Sequence, residues 1–275
     1  MSADDKYPES SGRRRFVKGV VGSSALAAAG TTGAVAVDSL TSPSGAGGGS
    51  ITYFGIENTA GPAPRGMPLV PITIDDEGFL QGYYPEVKEI ERRGQTLTVA
   101  EEELGGVTYS SEWFQYCGVQ GYAGDNYLRY AGGNVYEWQR DLEGERVNVE
   151  DFEDFEDWGN GIGKSGIGKP AKVTWRSQDT ENTIPVQILR TSRLSDVIAD
   201  ETDDASQFLE AATEKGFMGW LNKCTHFCCV PGYKLAAGSA DFGGEDGSYC
   251  PCHQSVYDPY SIVKKSFVAF PRPEE

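Results

Sequence analysis

CTHFCCVPG, residues 224 to 232, and CPCHQS, residues 250 to 255, hold five of the chain's six cysteines and both of its histidines. Each stretch sets a cysteine beside a histidine: Cys224-Thr225-His226 in the first and Cys250-Pro251-Cys252-His253 in the second. Two separate segments that each offer one thiolate and one imidazole supply what a mixed S2N2 metal site requires. Zinc could take the same donors, although C-x-H and C-x-x-H depart from its usual C-x-x-C with H-x-x-x-H spacing. Two further cysteines at matching offsets, Cys229 and Cys252, remain to be explained, and a disulfide scaffold without redox activity is a third reading.

The rest of the chain allows the cysteines to carry chemistry. At 275 residues it is long enough to build a core without a metal or a disulfide. Forty-one acidic against twenty-four basic side chains give a formal charge of −17, which argues against a nucleic-acid partner, because phosphate binding relies on clustered Lys and Arg. Two explanations of the acidity stand: solvation in a salt-rich medium, where screening removes self-repulsion, or an ordinary acidic protein.

The first fifty residues read as targeting rather than fold. RRRFVK (13 to 18) precedes GVVGSSALAAAGTTGAVAV (19 to 37), which carries no charge until Asp38. Paired arginines, Phe16, Val17 and Lys18 ahead of a weakly apolar run resemble a twin-arginine export signal, with 1–18 as its cytoplasmic basic region. Ala34-Val35-Ala36 resembles a cleavage site, yet nineteen residues at about 1.5 Å each give roughly 28 Å, enough to span a bilayer as a retained anchor helix. DSLTSPSGAGGGS (38 to 50) then reads as a flexible tether.

From residue 51 to 275, short β-type runs (ITYFGI, PLVPITI, TLTVA, KVTW, TIPVQILRTSRL) alternate with turn residues and predict an all-β antiparallel sandwich or barrel. Helix is expected only near 195 to 216. An acidic, Gly-rich insertion at about 142–170 reads as solvated surface. Its Gly163-Lys164-Ser165 tempts a phosphate-loop reading, but the glycine required five positions before Gly163 is Trp158, and no strand-to-helix context surrounds it.

The two loops closely resemble those of Rieske iron–sulfur proteins, whose patterns run C-T-H-x-G-C and C-P-C-H-G-S. The resemblance implies a small cluster-binding subdomain at about 217–260 that holds a [2Fe–2S] cluster, with Cys224 and Cys250 on one iron, His226 and His253 on the other, and a Cys229–Cys252 disulfide clamping the loops. Replacing two thiolates by neutral imidazoles makes such a cluster less negative and raises its potential to about −150 to +300 mV. Ser255 and Tyr257 match the family's S-x-Y hydrogen-bond donors, found in members that oxidise quinols. A ring nitrogen left free on each histidine can couple a proton to the electron, and the resemblance implies that His253 faces the quinol site.

By the same resemblance, the chain is expected to be a one-electron carrier in a cytochrome bc-type complex, partnered by a membrane cytochrome b-type subunit and quinol, and passing its electron to a cytochrome or blue-copper protein. An N-terminal anchor would hold the domain on the extracytoplasmic face of the cell membrane. The alternative is the small subunit of an exported molybdenum oxidoreductase of the arsenite-oxidase type. A Rieske-type oxygenase is excluded by counting, since its catalytic iron needs two more histidines. The chain departs from the pattern where Cys228 and Gln254 replace glycines, which predicts altered loops and a bulkier tip. FPRPEE (270 to 275) loosely resembles the proline-containing segment that covers the cluster. Cys228 and Cys117 are left without assigned partners, and form either a second disulfide or two free thiols.

Overall fold

The computed structural model describes residues 49–83, 88–92, 95–99, 101–110, 125–178, 183–200 and 204–269. The expected signal, anchor and most of the tether, as well as Cys117 and FPRPEE, lie outside the described residues. Among the described residues, no helix is long and apolar enough to cross a membrane.

The chain is all-β, as its alternating runs predict. Two antiparallel sheets carry it. The first is formed by β13 (Gly232–Tyr233), β14 (Ser248–Cys250), β15 (Ser255–Ala269), β1 (Gly49–Ala60) and β2 (Met67–Pro68), in that order. The second runs β12 (Phe217–Leu221), β11 (Ile184–Arg190), β10 (Lys169–Trp175) and β9 (Leu128–Tyr130). A bridge between Leu69 and Trp220, with Val70 N–H donating to Gly219 O at 2.9 Å, joins β2 to β12 and curls the sheets around a shared interior. Among the described residues, three two-stranded ribbons complete the strands: β3 (Ile72–Ile74) with β4 (Leu80–Gly82), β5 (Lys88–Arg92) with β6 (Gln95–Val99), and β7 (Glu101–Leu104) with β8 (Val107–Ser110). The β7–β8 turn is the two-residue Gly105-Gly106, with φ of 61° and 78°, the doubly left-handed turn that matches strand twist and that glycine adopts without strain.

β1 and β15 form the longest ladder, from Gly49 opposite Ala269 to Ala60 opposite Val256, with irregularities after Ile56 and Asn58. This pairing brings a segment from the start of the described chain alongside the strand that leaves the second cysteine loop. Helix appears where expected, over α1 (Leu194–Asp200) and α2 (Asp204–Ala212). Ala205, Phe208, Leu209 and Ala212 of α2 recur at i, i+3, i+4 and i+7 and are all buried. Phe208 stacks on Phe54 of β1 at 4.4 Å and meets Tyr109 of β8 edge-on at 5.0 Å.

The acidic stretch corrects the expectation of a wholly solvated insertion. Its carboxylates are mostly exposed, but Phe152 is fully buried and touches Phe217 edge-on at 5.0 Å, and Trp158 is buried against Tyr136. The aromatic residues spaced between the acids hold the segment to the second sheet, because burying such rings offsets the cost of ordering the chain. The Gly163-Lys164-Ser165 turn leads to β10 and not to a helix, and Lys164 N–H already donates to the Asp246 carboxylate at 2.7 Å.

Phe208→Ala empties the junction between α2 and both neighbouring strands. A loss of about 3 kcal/mol or more is expected, read as a lowered midpoint in chemical denaturation.

Candidate metal centre

Both cysteine loops are short turns leaving strands. β12 ends at Leu221, and the chain closes on itself where Cys224 N–H donates to Cys229 O at 2.7 Å and Cys228 N–H to Cys224 O at 3.1 Å. Buried Asn222 fastens the base of this first loop by donating from Nδ2 to Pro231 O at 3.0 Å. The second loop is the hairpin between β14 and β15: Cys250 pairs with Ser255, and Gln254 N–H donates to Cys250 O at 3.0 Å. Cys228 and Gln254, expected to alter the loops, instead take the left-handed backbone that glycine would, with φ of 60° and 57°. Closing each loop outweighs a steric cost of about 1–2 kcal/mol per residue.

The loops bring the sequence-selected side chains together. Cys224 and Cys250 are free thiols, 1% and 0% exposed. The rings of His226 and His253 meet edge to face with centroids 4.7 Å apart, His253 on the exposed side. Cys229 and Cys252 are bonded to each other. Cys229, Cys250 and Cys252 also lie with their sulfurs within 4.8 Å of one another, but two of those sulfurs are spent in the disulfide and cannot act as thiolate ligands. Cys228 is disulfide-bonded too, which removes the free-thiol reading for it.

The electrostatics of the thiols suit a metal centre. The Cys224 thiol is held down to about 5, chiefly by the hydrogen bond from Cys250 and then by Tyr257, against the opposing effect of burial. Cys250 is pushed up by the proton it shares with Cys224 and by burial. Tyr257, fully buried, donates its hydroxyl to Cys224 Sγ at 3.2 Å and accepts from Thr225 N–H at 3.1 Å. The Ser255 hydroxyl accepts from Ala63 N–H at 3.2 Å, which keeps its single proton available for an acceptor inside the site.

A direct test of fit comes from His226. Its Nδ1 is buried without any hydrogen-bond partner, an arrangement that costs free energy unless a ligand completes it. Two buried thiols, this orphaned imidazole nitrogen and a second imidazole at the rim fit the donor set that a Rieske-type [2Fe–2S] cluster requires.

One element escaped the sequence reading. GPAPRG (61 to 66), between β1 and β2, lies against both loops: Ala63 N–H bonds Ser255 of the second, and Thr225 Oγ1 of the first donates to Arg65 O at 2.6 Å. Gly61, at φ 83°, passes so close that an added Cβ would sit 2.6 Å from Gln254 O. The expected cover, FPRPEE, comes after the second loop and outside the described residues; a proline pair flanked by glycines, ahead of both loops, is the sequence signal for this one. Gln254→Gly relieves the left-handed strain and is expected to raise the holoprotein's thermal midpoint, by roughly 0.5–1 kcal/mol in stability, whereas Gly61→Ala pushes the strap from the loops and lowers it by more.

Comparison with known proteins places these loops in a lineage. The "Ubiquinol-cytochrome c reductase iron-sulfur subunit" of Rickettsia felis is 35% identical over 101 residues, covering 36% of this chain and 47% of that protein. The protein of the same description from Rhodospirillum rubrum is 33% identical over 104 residues, 36% of this chain and 52% of its own length. "Cytochrome b-c1 complex subunit Rieske, mitochondrial" of Bos taurus is 33% identical over 101 residues, 36% of this chain and 30% of that protein. The chain thus spans about half the length of the bacterial relatives. No family model matches it, and no solved structure does. The fold, the donor set and these relatives agree: the chain is similar, through its C-terminal part, to Rieske iron–sulfur proteins.

Proposed function

We propose that the protein is the electron-carrying subunit of a cytochrome bc-type quinol-oxidising complex. One observation carries this reading: two buried thiols and two imidazoles meet between the loops, with the flanking Tyr257 hydroxyl donating to Cys224 Sγ. The relatives are iron–sulfur subunits of ubiquinol-cytochrome c reductases, and the same role is assigned here by inference.

When bound, the [2Fe–2S] cluster supplies a one-electron acceptor. The chain's residues do the rest. Cys224 and Cys250 would hold the inner iron in the dry part of the site, and His226, through Nδ1, with His253 would hold the outer one. His253 lies on the exposed rim, so its remaining ring nitrogen can take the proton of a quinol hydroxyl as the electron enters. Tyr257 and Ser255 favour added negative charge on the sulfurs, since a donor bonds more strongly to a more negative acceptor. The electron would then pass to a cytochrome or copper protein. The basic and apolar segments at 13–37 are assigned as a twin-arginine export signal kept as a membrane anchor, with the folded domain outside and 38–50 as its tether. Cys117 is assigned as the partner of Cys228, which would pin the middle of the chain to the tip.

Tyr257→Phe is expected to lower the cluster's midpoint potential by roughly 40 mV, if the lost bond favours the reduced form by about 1 kcal/mol, with the cluster's EPR signal retained. Purification from membranes is expected to recover a cytochrome b with the protein. A molybdopterin subunit in its place would transfer the assignment to the exported oxidoreductase, and a colourless, EPR-silent protein would leave the disulfide or zinc scaffold. Mass mapping of nonreduced peptides should find Cys117 joined to Cys228; alkylation of Cys117 without reduction would remove that pairing.

A further inference from the structure

Three phenols form a line from the thiol site to the protein surface. Tyr257 donates its hydroxyl to Cys224 Sγ at 3.2 Å. Strand register sets Tyr257 of β15, Ser248 of β14 and Tyr233 of β13 side by side across three neighbouring strands. Residues opposed in this way share one face of a sheet, and two strand spacings of about 4.8 Å put the two tyrosine positions roughly 10 Å apart. Ser248 is fully buried, so the position between the two tyrosines carries no bulky side chain. The Tyr233 hydroxyl lies 3.3 Å from that of Tyr260. Tyr260 gives its own proton to Ile167 O, which leaves Tyr233 as the donor to Tyr260. Tyr260 is partly exposed and lines a surface cleft with Thr59, Arg193, Asp246 and Asp258.

Packing alone does not require this line, because phenylalanine would fill the same space without burying a hydroxyl. Burial holds the Tyr233 and Tyr260 phenols above their usual range, so each keeps its proton until it loses an electron and then needs an acceptor. Tyr233 has Tyr260 for that purpose, and Tyr260 has the cleft. Trp220 has nothing comparable: its ring is 6.4 Å from that of Tyr233, but its Nε1 is buried with no hydrogen-bond partner among the described residues.

We infer that Tyr233 and Tyr260 form a second route out of the cluster site, which delivers electrons to strong one-electron oxidants reaching the cleft and so spares the chain from oxidative damage. The inference rests on the redox reading of the site and adds an exit through the sheet. An oxidant of the peroxyl-radical class takes one electron from Tyr260, and the phenol proton passes to the cleft. Tyr233 then gives its hydrogen-bonded proton and one electron to the Tyr260 radical, which is restored as a phenol. The Tyr233 radical is reduced by one electron from the reduced cluster through Tyr257, and the proton released to the cleft returns through Tyr260. The oxidant has gained one electron, the cluster has lost one, and both tyrosines end as they began.

The test compares reduced and oxidised holoprotein after a single flash that generates tris(bipyridine)ruthenium(III), a one-electron oxidant, with peptide mass mapping of oxidised tyrosine as the readout. Tyr260 is expected to be modified several-fold less in the reduced protein than in the oxidised one. Tyr233→Phe keeps the ring and is expected to abolish that difference with the cluster's EPR signal retained. The wild-type comparison needs no substitution, so it stands even where that variant fails to fold. Equal modification of Tyr260 in both redox states overturns the inference. Sparing that survives in Tyr233→Phe also overturns it, since the oxidant would then be consumed at the loops themselves, as does an unmodified Tyr260 in the oxidised wild type. A protein without the cluster's EPR signal defeats the functional reading itself, whereas an intact signal without redox-dependent sparing defeats only the relay.

Discussion

Two short loops must present four donors of two kinds to one small space, and the surrounding structure depends on meeting that requirement. Thiolates need a hydrogen-bonded setting, and the proposed proton exchange needs at least one imidazole in reach of solvent. The loops satisfy both demands by asymmetry in depth. Cys224 and Cys250 join the hydrophobic core between the first sheet and α2, and the histidines lie further out. The core therefore positions the two thiols, and the disulfide and strap hold together the loops that carry the imidazoles.

The strap gives the N-terminal strand a role beyond completing a sheet. β1 pairs with β15 along its length, and its continuation binds both loops before returning as β2. A cover drawn from the opposite end of the domain fixes the two loops against each other as well as against the body of the protein. Left-handed Cys228 and Gln254 fit the same logic, because the turns are closed by backbone hydrogen bonds that a more relaxed residue geometry would break. The local strain is outweighed by closure of the site.

The candidate donors were legible in the sequence because they lie in compact motifs, and because the chain has so few histidines that both had to be explained. The all-β class was legible from short β-type runs alternating with turn residues, and a helical region was expected near 195 to 216. Other features were not. The acidic stretch at 150–157 looked like hydrated surface, since its carboxylates dominate composition while the burial of Phe152 depends on a distant strand, at Phe217.

The sequence by itself determined which atoms can bind metal, since thiols and imidazoles at fixed short spacings constrain one another through local geometry alone. Only the tertiary structure decided what covers those atoms and which face they present. The strap and the loops it binds come from segments far apart in the chain, joined by strand pairing and by hydrogen bonds such as Thr225 to Arg65. Such contacts arise from register and burial across the whole sheet, and no window of sequence contains both partners.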